Sequence, residues 1–450
     1  MGNFIKFIKD INQKMGISLP SLWTDLTEVQ LAQCFLEKLN EYFFQTYEGV
    51  GTTTFNGEEL QYFSEFHKFW EVNCKEILNP RINREQAKLA AQALSNSIRS
   101  YGREILGVTH QTQGLQPRAI AQVRFFTANQ DFRQLPKNQF EKYFEDPTRF
   151  DAQEIADDPE DFLKFLGAAR LSQTDKRLDF ARNAARFLLK KDISALDIAK
   201  YFNRDAVRIR EALVNAPNIG YGLKKANMFI RDMVELGVWT ELINLDKIDV
   251  ASDINTMKLA LRAGILQTDI SLLSSFLDIF CYQYGYIDEM SAKAWRTVWE
   301  EWVKLDTSTA PSSPCQMDFL LYRIGREHCA DIVVQYKCEN GHVFYHFGGR
   351  LRNCPICRDR KIKKPAHPKN RFLPCQLESS QLPRENGQLL LKENNLLKIF
   401  DGMCIFEKIC KPKTSEFRAL NPPKSISIKG KTGWTESYAY QERGGGGMMG

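Results

Sequence analysis

Apolar residues recur at the three- and four-residue spacing of a helix along most of the first 330 residues. Aromatic side chains are interleaved through the earlier segments, and the later ones are denser in Ala and Leu. This periodicity is typical of amphipathic helices that bury one face, so we predict a mostly α-helical protein. The segments that carry the pattern are 26–44, 60–78, 83–106, 163–190, 194–202, 205–239, 253–266 and 317–329.

Composition divides the chain into regions. An acidic, proline-containing stretch at 144–162 marks a boundary after the first helical segments, and the Gly-, Thr- and Asn-rich stretch 49–59 is typical of a loop. Beyond position 360 the chain becomes richer in Pro and Lys and ends in a run of glycines. We therefore predict an N-terminal helical region, a helical core, a small cysteine-rich module and a basic, partly disordered C-terminal region, at 1–154, 155–335, 336–360 and 361–450.

No stretch approaches the roughly 20 consecutive apolar residues of a membrane-spanning helix. The first 16 residues carry charges throughout and lack the apolar run of a signal peptide. Eleven cysteines, an odd number, argue against a disulfide framework, so we expect reduced thiols. We expect a cytoplasmic protein that does not enter a membrane, and we expect a monomer.

The basic excess of the chain belongs to its C-terminal end. From Arg358 onward there are 18 Lys and Arg against 9 Asp and Glu, and the densest stretch is 358–371. Such a stretch attracts a polyanion through the release of counterions. A solvated linker without a partner accounts for the same composition, and the charge alone does not decide between the two.

The most specific pattern is Asn-Ile-Gly-Tyr-Gly-Leu-Lys-Lys-Ala-Asn-Met-Phe at 218–229. Gly220 and Gly222 frame one residue, and apolar positions at helical spacing follow. The spacing predicts a helix that begins just after Gly222 and is joined to the preceding helix by a tight turn. Glycines there let the N–H groups at the helix start approach a phosphate closely, although two glycines alone also suit a plain turn between helices.

The element GYGLKKAN resembles the Gly-x-Gly-x-Lys-x-Ala-Asn motif of the helix-hairpin-helix DNA glycosylase superfamily, which includes endonuclease III and the 8-oxoguanine glycosylases. Two further segments are similar to that family and occur in its order. Residues 169–177 are similar to its Leu-Ser-x-Gln-x-Thr-Asp segment, and 252–266 resemble its stretch around an essential aspartate, matching it at Asp253, Lys258, Arg262 and Gly264. The resemblance covers roughly residues 155–335 and implies a helix-hairpin-helix glycosylase core that binds duplex DNA.

Under this resemblance Lys224 falls where bifunctional members place the lysine that attacks C1′ of the sugar, and Asp253 falls on the essential aspartate. A lysine must be neutral to attack, and a carboxylate can deprotonate the nucleophile or stabilise the oxocarbenium charge. The resemblance therefore implies base excision, with AP lyase cleavage through a Schiff base as a further step. It also implies DNA contacts, with Gln173 filling the gap left by the flipped nucleotide. The other implied DNA contacts are Gly220, Gly222, Lys225, Lys258 and Arg262.

The chain departs from the family pattern at three places. Ile219 stands where the family has Pro, Asn255 replaces its usual His, and the interval from Lys224 to Asp253 is longer than in the family. We expect the added length to form extra helix or loop between the hairpin and the aspartate, where it would reshape the base pocket.

A cysteine cluster has the spacing C-x3-H-x11-C-x2-C. Thiolate and imidazole suit tetrahedral Zn²⁺, and two close pairs separated by a short hairpin are typical of zinc-ribbon modules. We predict a closed, structural zinc site on a two-stranded knuckle, with Cys315 and Cys329 as buried small side chains. The alternative is a [4Fe-4S] cluster that uses Cys329 with the three other cysteines, although the family's spacing is much tighter. The predicted zinc ligands are Cys338, His342, Cys354 and Cys357.

Together these features predict a DNA N-glycosylase that flips and excises a damaged or modified base in DNA repair. A non-catalytic DNA-binding protein that keeps the hairpin and the zinc module is one alternative. A glycosylase acting on hypermodified bases of invading phage DNA, in antiviral defence, is another, and a nucleotide or RNA substrate is a third. The residues do not identify the base.

Overall fold

A computed structural model of the chain describes most of residues 78–327 and shorter pieces on either side. Helices account for 67% of the residues so described, which confirms the mostly α-helical class. None of these helices is both long and apolar enough to cross a bilayer. Apart from isolated positions and the strands given below, the described stretches are 78–107, 114–130, 146–167, 174–269 and 285–327.

Eleven α-helices lie in the described part of the chain, and four short 3-10 helices join them. The α-helices are α1 (Arg84–Tyr101), α2 (Pro117–Gln130), α3 (Ala152–Asp157), α4 (Pro159–Phe165), α5 (Thr174–Lys191), α6 (Ile198–Tyr201), α7 (Ala206–Asn215), α8 (Leu223–Glu235), α9 (Ile254–Arg262), α10 (Gly285–Leu305) and α11 (Asp318–Glu327). The 3-10 helices are Arg103–Leu106, Pro147–Phe150, Leu245–Lys247 and Pro314–Met317.

Side-chain caps determine where several helices begin. Asn83 caps α1 by accepting hydrogen bonds from the N–H groups of Glu85 and Gln86, at 3.1 and 3.2 Å. Asp151 and Asp205 cap α3 and α7 in the same way. A side-chain acceptor at this position satisfies N–H groups that have no partner inside the helix. The start of α8 has no such cap.

The strands are short, and of those outside β3 and β4 only the backbone is described. An antiparallel sheet has the order β1-β2-β10-β11, a three-stranded one has the order β6-β5-β7, and β3–β4 and β8–β9 form two-stranded pairs. The strands are β1 (Thr52–Phe55), β2 (Glu58–Tyr62), β3 (Arg81–Ile82), β4 (Leu266–Gln267), β5 (Val333–Cys338), β6 (Val343–Phe347), β7 (Leu377–Gln381), β8 (Arg384–Glu385), β9 (Gln388–Leu389), β10 (Ser425–Gly430) and β11 (Gly433–Ala439).

The predicted loop at 49–59 was wrong, because β1 and β2 pair there as an antiparallel hairpin with Thr52 opposite Gln61. The helix predicted from position 60 was also wrong for residues 60–62, which belong to β2. The three consecutive threonines favour strands, since β-branched side chains fit a pleated surface. Asn-Gly, the pair at positions 56–57, is the sequence that tight hairpin connections prefer.

Contacts within the chain form two compact units, each assembled from separate stretches. One unit comprises Met1–Arg81, Leu261–Tyr286 and Ile324–Gly447, and the other comprises Ile82–Ala260, Ile287–Arg323 and Met448–Gly450. The domain boundaries predicted at 154/155, 335/336 and 360/361 stay predictions. The second unit contains α1 to α8 and most of α9 and α10, and it holds Lys224 and Asp253, which the sequence singles out as catalytic.

An aromatic core lies beneath the turn between α7 and α8. Phe125 on α2 is fully buried and stacks on Tyr221 of the turn, with ring centres 5.5 Å apart. Phe229 of α8 meets Phe125 edge-on at 5.6 Å. The Tyr221 hydroxyl donates a hydrogen bond to the Phe125 carbonyl oxygen at 2.7 Å. Aromatic burial with a satisfied hydroxyl therefore fixes the turn on the core.

Candidate functional site

The turn between α7 and α8 uses its two glycines differently. Gly220 has a φ of +80°, and a Cβ there would lie 2.8 Å from Cδ2 of Phe180 and 3.1 Å from the Asn129 carbonyl oxygen. Both the backbone angle and the close packing thus require glycine. Gly222 has extended backbone and is exposed, and a Cβ there would meet no atom within 4 Å. The following helix, α8, begins at Leu223, as the glycine spacing predicts.

The residues around Gly222 divide between the core and solvent. Ile219, which stands where the family has Pro, is buried together with Tyr221. Leu223, in contrast, is 62% exposed. The residues just before α8, Ile219 and Tyr221, therefore pack into the apolar core, while Leu223 in its first turn faces solvent.

The adjacent lysines of α8 have different surroundings. Lys224 is half-buried, and its charge lowers the pKa of Asp288 and of Asp318. Lys225 donates a hydrogen bond to the Asn129 carbonyl oxygen at 2.7 Å, in the last turn of α2. A cation at a helix C-terminus is favourable, so Lys225 fastens α8 to α2 in this conformation. Its contact with a phosphate stays a prediction.

Asp253 caps α9. Its Oδ1 accepts hydrogen bonds from the N–H groups of Asn255 and Thr256, both at 2.9 Å, and its Oδ2 accepts one from Nδ2 of Asn255 at 3.1 Å. The Asp253 N–H in turn donates to Oγ1 of Thr256 at 2.8 Å. These bonds fix the carboxylate at a helix N-terminus, where negative charge is favourable. Asn255, which replaces the family's His, helps to orient it.

The charges of Lys224 and Asp253 shift the pKa values of the same two carboxyl groups, although Lys224 and Asp253 lie far apart in the sequence. Burial raises the pKa of Asp288, on α10; Ser252 and Lys224 oppose this rise, and Asp253 adds to it. Burial raises the pKa of Asp318, the first residue of α11, to about 7. Lys224 opposes that rise and Asp253 adds to it. Lys224 and Asp253 thus both influence the protonation of Asp288 and of Asp318, and their catalytic roles stay predictions.

Two buried polar atoms on α10 have no hydrogen-bond partner among the residues that the structure describes. They are Oδ1 of Asp288 and Oγ of Ser291. Ser252 forms a side-chain hydrogen bond with Asp288, which lowers the pKa of that carboxyl. Ser252 is 6% exposed, and Ser291, one turn after Asp288 on α10, is fully buried. An unpartnered buried polar atom costs about 1–3 kcal/mol, and a group of them is characteristic of a functional site rather than of a folding core.

A second set of buried charges lies further along α8. Nε and Nη2 of Arg231 donate to Oδ1 of Asp232 at 2.9 and 2.6 Å. The guanidinium of Arg124 on α2 donates to the other oxygen of Asp232, and Arg231 also pairs with Asp318. Although burial alone would lower the pKa of Arg231, Asp232 and Asp318 raise it above its ordinary value. These pairs tie α2, α8 and α11 together.

The added length between the hairpin and Asp253 is loop with one 3-10 turn, Leu245–Lys247. The hydroxyl of Ser313 stabilises this 3-10 turn, because it donates to the carbonyl oxygens of Leu245 and Ile248 at 2.7 and 3.1 Å. Burial raises the pKa of the neighbouring Cys315 thiol to about 12. Burial therefore disfavours the thiolate of Cys315, which is the nucleophilic form of a cysteine.

The other predicted DNA contacts lie elsewhere. Gln173 falls outside the described residues. Lys258 is half-buried in α9. Arg262, the last residue of α9, is buried, and its guanidinium donates to the Cys329 carbonyl oxygen. In this conformation Arg262 therefore binds protein backbone rather than facing outward. The DNA contacts of these residues stay predictions.

The predicted zinc segment is only partly described. Cys338 ends β5, and β6 is the Val-Phe-Tyr-His-Phe segment that we predicted as a strand, with Lys337 opposite Val343. His342, Cys354 and Cys357 lie outside the described residues, and within the described part no three His, Cys, Asp or Glu side chains form a metal-binding group. Cys315 and Cys329 are buried, as predicted. Zinc and the [4Fe-4S] alternative both stay predictions.

Sequence reasoning missed Asp288, Ser291, Asp318 and Ser252. The sequence did carry a signal for Asp288 and Ser291. Both are polar residues on the helix face that buries Ile287, Trp295 and Trp302, where apolar residues are expected. Asp318 gave no signal, because an acidic residue in the first turn of a helix is ordinary on the surface.

Compared with known proteins, the chain matches no protein-family model and no curated protein. The resemblance to DNA glycosylases therefore rests on the three motif segments alone. A function is best argued from the side chains that surround Lys224.

Proposed function

We propose that this protein is a DNA N-glycosylase, which flips a nucleotide out of duplex DNA and breaks the bond between its base and C1′. One observation carries the proposal. Lys224 and Asp253, the residues that the motif resemblance makes nucleophile and essential carboxylate, both act electrostatically on the half-buried Asp288 and the buried Asp318. Perturbed carboxylates beside a lysine and unpartnered polar atoms are features of catalytic sites.

The charges around Lys224 suit the proposed chemistry. Asp288 and Asp318 both interact electrostatically with Lys224 and with Asp253. A carboxylate beside the sugar favours the positive charge that develops as the base departs. Asp253, fixed by three hydrogen bonds, is the carboxylate that takes this role.

DNA would meet the outer side of the first turn of α8. Gly222 offers no side chain there, and Leu223 is exposed. A helix N-terminus without a side-chain cap has N–H groups available to a phosphate, and the helix dipole favours the anion. Zinc held by Cys338, His342, Cys354 and Cys357 would fold a small module beside the core. In this proposal the partner is duplex DNA, and the protein acts as a monomer in DNA repair.

The test measures bases released from duplexes that carry oxidised, deaminated, alkylated or phage-type hypermodified bases. Released bases are identified by mass spectrometry, and binding of the same duplexes is measured in parallel. We expect one class of base to be released by the wild type and release by Lys224→Gln to fall about a hundredfold or more. Sodium borohydride added to half of the samples traps a Schiff base if the enzyme also has lyase activity.

Three results would change this assignment. Binding of duplex DNA without release of any base would favour the non-catalytic DNA-binding alternative. Release that Lys224→Gln leaves unchanged would remove Lys224 from the mechanism and favour water as the nucleophile. Release confined to hypermodified bases would assign the enzyme to phage DNA.

A further inference from the structure

We propose that the C-terminal end of α5 and the short helix α6 form a surface that binds single-stranded nucleic acid, with Tyr201 as the platform on which a base stacks. This surface is separate from the turn between α7 and α8. Phe180, which packs against that turn, and Lys191 lie 11 positions apart on α5, which is about 16 Å along a helix. The inference therefore goes beyond base excision and does not depend on it.

Three aromatic rings gather around the ammonium group of Lys191, the last residue of α5. Its Nζ lies 5.1 Å from the ring centre of Phe187, 5.2 Å from that of Tyr201 and 5.9 Å from that of Phe202. The rings of Tyr201 and Phe202 meet edge-on at 5.0 Å. Because a cation within about 6 Å of a ring centre is attracted to its π electrons, Lys191 holds the two rings of the α6 end against α5.

Tyr201 is fixed by these contacts and is nevertheless open to solvent. It is 49% exposed, although Lys191 lies over its ring and Phe202 touches it. Leu189, near the end of α5, is 40% exposed. A ring that is already held in one orientation loses little conformational entropy when a flat group stacks on it. Tyr201 is therefore preorganised for stacking.

The charge around this ring is positive. Residues 186–208 contain six Lys and Arg and three Asp. Arg204 pairs with Glu241 at 2.6 Å, and Arg208 approaches an aspartate at 3.8 Å. The lysines next to the ring form no ion pair with the residues that the structure describes, and two of them are exposed. They are Lys190, Lys191 and Lys200.

Two of the three aspartates in this stretch are engaged locally. Asp197 accepts hydrogen bonds from the hydroxyl and the N–H of Ser194, at 2.5 and 3.2 Å, and interacts with the charge of Lys200 without forming an ion pair. Asp205 caps α7. Asp192 is exposed. The surface around Tyr201 thus keeps an excess of positive charge, which favours a polyanion.

An exposed ring beside unpaired lysines suits the chemistry of a single strand. Every base has a flat face that stacks on an aromatic ring, and its phosphates are attracted to lysines, so such binding tolerates any sequence. Bases in a duplex are already stacked on their neighbours and do not reach a ring at the surface. An acidic peptide offers carboxylates to the lysines but no base to Tyr201. RNA and DNA strands share the required chemistry.

The first experiment measures the fluorescence anisotropy of labelled oligothymidylate and oligouridylate, about 12 nucleotides long, with the full-length protein. We expect both to bind the wild type, and the tighter one identifies DNA or RNA as the ligand. Tyr201→Ala should weaken binding about tenfold, whereas Tyr201→Phe should retain it because the ring remains. The matched control is Tyr101→Ala, which removes a tyrosine that is 41% exposed on α1 and should leave the affinity unchanged.

The second experiment measures the same affinities at several salt concentrations. We expect the double variant Lys190→Gln, Lys200→Gln to reduce the slope of log affinity against log salt by about 1.4, which corresponds to two lost phosphate contacts. The control is the double variant Lys88→Gln, Lys304→Gln, whose lysines are exposed but pair with glutamates at 2.8 Å, and it should leave the slope unchanged. If Tyr201→Ala does not fold, by circular dichroism, the lysine variant decides.

Three results would overturn the inference. They are the absence of single-strand binding, equal affinities for Tyr201→Ala and Tyr101→Ala, and displacement of the strand by polyglutamate as effectively as by unlabelled oligothymidylate. The last result would show a general polyanion surface without stacking. Duplex binding and base release by the same variants separate this surface from the proposed function, because Tyr201→Ala should leave both unchanged. A wild type that releases no base would remove the proposed function, while the single-strand measurements would still decide this one.

Discussion

The two ends of α8 use buried polar groups in opposite ways. Toward its C-terminus, Arg231 and Asp232 belong to a chain of ion pairs in which each charge meets an opposite one. At its N-terminus, no side chain caps the helix, and the charge of Lys224 lowers the pKa of Asp288, whose Oδ1 has no partner in the described part of the chain. Both ends belong to one rigid helix of 13 residues.

The C-terminal end of α8 therefore stabilises the fold, whereas its N-terminal end carries the candidate site. A fully partnered ionic network fixes three helices in one arrangement. A cluster with unpartnered atoms is kept at a cost in stability, which a sequence retains where chemistry needs it. Asp318 joins the two ends, because it pairs with Arg231 and also responds to the charge of Lys224. The ion-pair network at the C-terminal end of α8 therefore fixes the position of Asp318, a carboxylate that also interacts electrostatically with Lys224 at the N-terminal end.

Breaking the partnered end should have the largest effect on stability. Asp232→Ala leaves Arg124 and Arg231 facing each other without their shared carboxylate, so we expect the free energy of unfolding to fall by about 3–5 kcal/mol. Urea unfolding followed by circular dichroism measures it. The matched control is Asp246→Ala, which removes an exposed pair with Lys247 and should cost under about 1 kcal/mol. Equal losses in the two variants would show that the buried network is not what stabilises this end.

Replacing each glycine of the turn by alanine should affect the stability of the protein differently. Gly220→Ala introduces a Cβ into a left-handed backbone against Phe180 and the Asn129 carbonyl, so we expect a loss of about 1–3 kcal/mol. Gly222→Ala has extended backbone and open space, so its stability should change by less than about 0.5 kcal/mol. Thermal unfolding of both variants measures the difference. A larger loss for Gly222→Ala would contradict the described turn.

Neutralising the unpartnered end should stabilise the fold. The pKa of Asp288 is raised in the folded protein, so ionisation of this group disfavours folding, and the penalty grows as pH rises from the unfolded value through the folded one. We expect Asp288→Asn to gain about 1 kcal/mol at pH 8 and to gain less as pH falls toward the ordinary aspartate pKa of about 3.9, below which the wild-type carboxyl is protonated in both states. Melting temperatures across this range measure the gain. A gain that does not vary with pH would show that Asp288 is not ionised with a penalty in the folded protein.

The periodic part of the fold was readable from the sequence. Apolar spacing indicated most of the helices, and the glycine pair indicated where α8 begins. The hairpin at 52–62 was missed because the local strand preference of its threonines was weighed below the loop content around it. Local patterns of this kind report which face of a segment is apolar, and they are sufficient for elements that bury one face.

The candidate site was only half readable. Lys224 and Asp253 followed from motif position, but Asp288 and Asp318 join them through packing of helices that are distant in the chain. The same limit affected Lys225, whose position suggested a phosphate contact but whose amine binds the carbonyl oxygen of Asn129. Side-chain partners that are remote in sequence leave no periodic signal, so tertiary structure alone supplies them.

The most direct test of the central claim compares base release by Asp253→Asn and Asp249→Asn. Asparagine at position 253 keeps a capping oxygen for α9 but removes the charge, whereas Asp249 lies in the same segment and pairs with Arg296 at 2.6 Å. We predict that Asp253→Asn folds normally, binds duplex DNA and releases base at least about a hundredfold more slowly, while Asp249→Asn releases base at nearly the wild-type rate. Equal rates for the two variants would contradict a catalytic site built around Lys224 and Asp253.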